Sequence, residues 1–84
     1  MPNSNETEIF IDGDTFIKVK KTYIYKFKGI ANSSWKVQKD RPVKYSIDEE
    51  DPTTIYIMWD SSYSGEFDLS YGNYTKKIVV ESLF

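Results

Sequence analysis

The chain contains neither cysteine nor histidine among its 84 residues. Without cysteine there is no disulfide staple and no thiolate chemistry, which is compatible with a reducing compartment. Without either residue, Ser-His-Asp and Cys-His relays are excluded, as are His-ligated zinc and thiolate-ligated metal sites. No run of about 18 apolar residues is present, so no segment reads as inserting in a membrane. The opening Met1-Pro-Asn-Ser-Asn-Glu-Thr-Glu8 has no basic start and no apolar stretch, and so does not read as a signal peptide. Two origins fit that opening: a chain not secreted by that route, or a module cut from a longer protein.

What the chain does have is aromatic rings and unevenly placed charge. Its length suits one domain, which at this size buries only about 60–65% of the unfolded surface and needs a dense core. Seven tyrosines, five phenylalanines and two tryptophans supply that density. The net charge is −2, yet nine of the eleven basic residues lie between Lys18 and Lys44 against a single acid, Asp40. Unless the fold cancels this asymmetry in space, it predicts a dipolar domain with one basic sheet face.

The clearest local pattern lies in the last thirty residues. Thr54–Trp59, Gly65–Tyr71 and Tyr74–Glu81 alternate apolar and polar side chains and read as three consecutive strands. Gly72-Asn73 joins the last two, and glycine first in a two-residue loop predicts a type II′ hairpin. Closing that turn pairs Tyr71 with Tyr74, Leu69 with Lys76 and Phe67 with Ile78 on one face. On the other face it pairs Ser70 with Thr75 and Asp68 with Lys77. A one-residue slip would send Phe67 and Ile78 to opposite faces, so the register is well specified.

Upstream, residues 1–7 read as a flexible arm and 8–84 as one domain. Glu8–Asp12 is a short strand, Asp12-Gly-Asp14 a turn, and Thr15–Lys20 the start of the next strand. Thr22–Lys28 sets Tyr23, Tyr25 and Phe27 on one side and Lys26 and Lys28 on the other. Ser34–Gln38 is a strand with Trp35 and Val37 inward, Lys39–Pro42 turns, and Pro42 confines the strand Val43–Ile47 to an edge or a strand start. Asp48–Pro52 is an acidic loop. About seven strands at 8–12-residue spacing with no helical period predict an all-β, antiparallel sandwich, with a small open barrel as the competitor.

Ile11-x-Gly13, Tyr23-x-Tyr25, Ser34-Trp-Lys-Val37, Ile55-x-Ile57-x-Trp59, Gly65-x-Phe67-x-Leu69 and Ile78-x-Val80 together resemble the PKD-like branch of the immunoglobulin-like sandwiches. The resemblance covers Ile9 to Ser82. The Asp-Phe-Gly-Asp-Gly stretch of the best-known PKD domains is missing, and Trp59-Asp60 is its nearest remnant. The resemblance implies an immunoglobulin-like (PKD-like) fold and a non-catalytic structural or adhesion role, in a phage virion or at a bacterial cell surface. It also implies that Trp35 is the central core tryptophan of its strand.

Three residues stand out as binding candidates. Alternation places Tyr56 and Met58 on the face opposite Ile55 and Ile57, and Tyr63 sits in the loop Asp60–Gly65. Together they suit a protein partner, or alternatively a glycan, in which case the chain would be a carbohydrate-binding module. Asp12, Asp14, Asp48–Asp51 and Asp60 carry the hard oxygens calcium takes, but match no defined calcium loop, so no cofactor is expected. A glycosidase needs paired carboxylates in a cleft that so small a sandwich does not offer. The aromatics of Tyr23–Phe27 point away from Lys26 and Lys28, whereas nucleic acid needs both on one face, so no nucleic-acid partner is expected. Asn5-Glu-Thr7, Asn32-Ser-Ser34 and Asn73-Tyr-Thr75 match the glycosylation pattern by chance.

Overall fold

A computed structural model of the chain describes residues 8–38 and 42–81. Every regular element among them is a strand: β1 Phe10–Asp12, β2 Phe16–Lys18, β3 Thr22–Lys28, β4 Trp35–Val37, β5 Val43–Ile47, β6 Thr54–Trp59, β7 Gly65–Tyr71 and β8 Tyr74–Glu81. They form two four-stranded sheets, ordered β1-β3-β6-β5 and β2-β8-β7-β4. The fold is all-β and sandwich-like, with the core between the sheets. The expected arm at residues 1–7, the turn at 39–41 and the last three residues lie outside the described residues.

The β7–β8 hairpin has the register its turn dictates. Tyr71 faces Tyr74, Leu69 faces Lys76, Phe67 faces Ile78 and Asp68 faces Lys77. Gly72 carries φ +61, the left-handed value a II′ turn demands at its first central position. On the solvent face the Ser70 and Thr75 hydroxyls hydrogen-bond at 2.8 Å, and Lys77 reaches Glu66 at 3.3 Å and Asp68 at 3.5 Å. Lys76, on the core face by register and half-buried, donates from its ammonium to the Thr15 hydroxyl, 3.1 Å away.

Among the described residues there are eight strands, where the spacing predicts about seven, and one pairing is parallel. Thr15–Lys20 does not lead into β3 within a single sheet. Its β2 portion pairs with β8 in parallel, Phe16 beside Val79 and Lys18 beside Glu81, and the chain then crosses to the other sheet. The crossing is made at Lys20, a non-glycine residue at φ +67 whose N–H donates to the Trp59 carbonyl. The first third of the chain therefore serves both sheets: β1 pairs antiparallel with β3, and β2 edges the opposite layer.

The core is layered in aromatic rings. Trp59, fully buried, takes Tyr23, Tyr25 and Phe67 edge-on at 5.3–6.3 Å between centroids, a geometry the ring quadrupoles favour. At the hairpin end Phe27 stacks on Tyr71 at 4.2 Å, and Trp35 meets Tyr71 edge-on at 5.1 Å. Both tryptophans belong to the core, with Trp59 the more deeply buried. Trp35 stands on β4, an edge strand, 9% exposed, and its indole N–H reaches across to the Pro52 carbonyl at 2.9 Å. Close packing also fixes Gly13, at φ +151, where a Cβ would fall 2.2 Å from the Tyr25 ring. Tyr25 packs over that glycine and donates its hydroxyl proton to the Asp14 carbonyl.

Candidate functional site

The outer face of the β1-β3-β6-β5 sheet gathers most of the surface features that bear on recognition. Register places Ile24, Tyr56 and Ser46 side by side in one row across β3, β6 and β5, and Thr22, Met58 and Lys44 in the next. Ile24 is 60% exposed, while Tyr56 and Met58 are half-buried. Two open depressions flank Met58 and Lys44. One of about 320 Å³ continues to Lys20, Pro42 and Asp60, and one of about 230 Å³ spreads over Thr22, Ser46 and Tyr56.

Tyr56 is held in place. Its hydroxyl donates to Asp48 Oδ2 at 2.6 Å, which raises the phenol above its ordinary range and lowers the Asp48 carboxyl below its own. Asp48 Oδ1 in turn accepts the backbone N–H groups of Glu50 and Asp51, so the acidic loop is tied to the strand that carries Tyr56.

The Asp51 and Asp60 carboxylates are likewise engaged by their own chain. Asp51 accepts from the hydroxyls of Thr53 and Thr54, from the Thr53 N–H and from Lys26 at 3.0 Å. These bonds, the Thr53 hydroxyl foremost, hold its carboxyl well below the usual range. Asp60 is lowered by the Ser62 hydroxyl and N–H and by the charge of Lys20. Among the described residues no group of three or more acids converges on a point where a metal ion could sit.

Tyr63 requires a correction. It is not a loop side chain offered to a ligand but part of the core, 5% exposed. It meets Phe67 edge-on at 6.1 Å and donates its hydroxyl proton to the Glu66 carbonyl. A tyrosine in a short connection between two core strands can fold back under the sheet it leaves, and strand periodicity does not extend into such a loop. Tyr56 and Met58 do lie on one outer face, and Ile24 joins them. Ile24 was not singled out from the sequence, although alternation along β3 puts it on the face of Lys26 and Lys28, so the signal was present.

Among the described residues the basic stretch does not build one basic face. Lys26, Lys28 and Lys44 belong to one sheet, Lys18 and Lys36 to the other, and Lys20 and Lys21 to the crossing between them. Among the described residues β5 forms an open edge of its sheet, beside which Tyr45 and Ile47 are 44% and 42% exposed although they occupy the core-facing side of the sheet. No protein family, no curated protein and no solved structure matches this chain.

Proposed function

We propose that this chain is a non-catalytic, immunoglobulin-like (PKD-like) sandwich serving as a structural or docking module of a phage particle or bacterial surface assembly. Its outer β1-β3-β6-β5 face would be the contact. The strand order supports the fold assignment: β1-β3-β6-β5 over β2-β8-β7-β4 matches the immunoglobulin order A-B-E-D over C-F-G, with the first strand divided between the sheets. Trp35 packing on Tyr71 across the β4–β7 pair agrees with the tryptophan such domains carry on their third strand.

The observation that carries the docking role is the Ile24–Tyr56–Met58 group on adjacent strands. Apolar side chains on a rigid sheet lose little conformational entropy when covered, which suits the centre of an interface. Lysines at its margin, Lys26 and Lys44, would supply the polar rim and partner selection. The non-catalytic reading rests on composition, since the side chains that most often act as nucleophile–base pairs are missing from the sequence.

The test compares the wild-type chain with Tyr56→Ser and Ile24→Lys, each first shown to unfold like the parent. Capture of a defined particle or surface protein by the wild type, weakened in both variants, supports docking. Saturable binding to a glycan panel, abolished by Tyr56→Ser, would replace docking with carbohydrate recognition.

A further inference from the structure

We infer that the β5 edge pairs antiparallel with the β5 edge of a second copy of this chain, centred on Ser46, an inference that rests on the docking-module function proposed above. β5 is the longest edge strand among the described residues, with five residues against three in each of β1, β2 and β4. Its hydrogen-bonding phase is set by β6: the Asp48 N–H donates to the Thr54 carbonyl, and the Asp60 N–H to the Pro42 carbonyl. Even-numbered positions of β5 therefore spend their backbone groups on β6, and Val43, Tyr45 and Ile47 present theirs to the open side. Their side chains, all apolar, line the core-facing side of that edge. Edges are usually protected by edge lysine or proline, by an inward-pointing charge or by extreme shortness. β5 has Lys44 on its outer side and Pro42 at its start, but no charge points inward from it and it is not unusually short.

The occupant follows from charge and register. With the two-fold axis at Ser46, Tyr45 and Ile47 exchange backbone hydrogen bonds with Ile47 and Tyr45 of the second copy. That joins an aromatic to a β-branched residue on the inner side, one of the better cross-strand pairs. On the outer side Ser46 meets Ser46, and Lys44 of each copy lies opposite Asp48 of the other. Asp48 has already accepted three hydrogen bonds, and a carboxylate offers about four acceptor positions, so an ammonium can still be received. The neighbouring registers are poorer. Centring on Tyr45 leaves Lys44 opposite serine, centring on Lys44 opposes two lysines, and centring on Ile47 sets Tyr45 against Glu49. Only the Ser46 register satisfies charge on one side and apolar packing on the other. Such a strip is small, so the pairing belongs to the weak, transient class of contacts.

A chain with no native cysteine makes the test unambiguous. Opposed residues of a non-hydrogen-bonded antiparallel pair have Cα atoms about 4.5 Å apart, within disulfide range. Ser46→Cys should therefore cross-link under mild oxidation, at least about tenfold faster than Lys44→Cys, whose thiols this register keeps roughly four residues apart. Adding Tyr45→Lys, a charge on the inner side of the edge, should remove that advantage while leaving the unfolding curve near that of the parent. In sedimentation of the purified chain, Lys44→Glu should weaken dimerisation by on the order of tenfold. Equal cross-linking at positions 44 and 46, or cross-linking indifferent to Tyr45→Lys, overturns the inference. So does a dimer broken by Ile24→Lys instead, since it would use the outer face. None of these measurements involves glycan or any other partner, so glycan binding by Tyr56 would refute the docking role without altering their outcome.

Discussion

Two tryptophans and two tyrosines show what a single position can and cannot disclose. Trp59 ends a strand whose alternation points it inward, and it is fully buried among Tyr23, Tyr25 and Phe67. Trp35 has the same periodic signature but stands on an edge strand, because nothing in a strand's own pattern says how many neighbours it will have. Trp59→Ala should cost about 3–5 kcal/mol, as large-to-small core changes do. Trp35→Ala should cost less, in spite of its bond to the Pro52 carbonyl. Urea denaturation of the two variants tests the order, and a larger loss at Trp35 would move the centre of the core to the β4 edge. Tyr63 and Tyr25 make the complementary point. Strand phase reveals Tyr25, whereas the burial of Tyr63 depends on how its loop folds back and was not legible. Burial, then the charges of Asp14 and Tyr23, raise the Tyr25 phenol well above its ordinary range. Below about pH 10, the ordinary phenol value, its contribution to stability is complete. It is lost as pH climbs from there towards the raised folded value, because the unfolded chain releases the proton first. Tyr25→Phe should flatten that alkaline decline in melting temperature, and an unchanged decline would assign it to other groups.

Among the elements, β6, β7 and β8 were readable to the residue, since each alternates in phase and one turn fixes a register that only Phe67 opposite Ile78 satisfies. Gly72→Val should destabilise the hairpin doubly. It places a β-branched residue at φ +61 and sets a Cβ 2.8 Å from the Ser33 hydroxyl oxygen. Gly13→Ala should be worse tolerated than an ordinary turn glycine, because the obstruction is the rigid Tyr25 ring rather than a movable hydroxyl. Thermal unfolding of both variants checks this, and a neutral Gly13→Ala would mean that the Tyr25 ring can yield. The separation of β2 from β3 was not legible, for a definite reason. Ile17, Val19, Tyr23, Tyr25 and Phe27 are all odd-numbered, and all face inward, so the phase is the same on both sides of the crossing and is interrupted only at the exposed Lys21. Lys20 turns the chain with no glycine or asparagine to mark the place.

At the scale of the whole molecule, charge that is lopsided along the sequence becomes distributed in space among the described residues, because the strands from β2 to β5 that carry the basic stretch alternate between the two sheets. Acid should be the weak side of the stability profile. Asp48, Asp51 and Asp60 all have carboxyls lowered by hydrogen bonds formed in the folded chain. Their contribution is whole above the ordinary carboxylate range of about pH 4 and is lost as pH falls below it through the depressed folded values. Asp51→Asn should lower the melting temperature near neutrality and reduce its acid slope, and an acid slope equal to the parent's would exclude Asp51 as a source. A last consequence comes from the parallel alignment of β2 with β8. Tension applied between Glu8 and Glu81 draws these two strands past one another along their length, so the bonds joining Phe16–Lys18 to Val79–Glu81, with the Thr15–Val79 bond beside them, carry load together rather than opening one by one. The molecule should therefore resist stretching along that axis as a shear clasp, and yield at lower force when pulled across the β7–β8 hairpin, whose bonds part in succession from the open end.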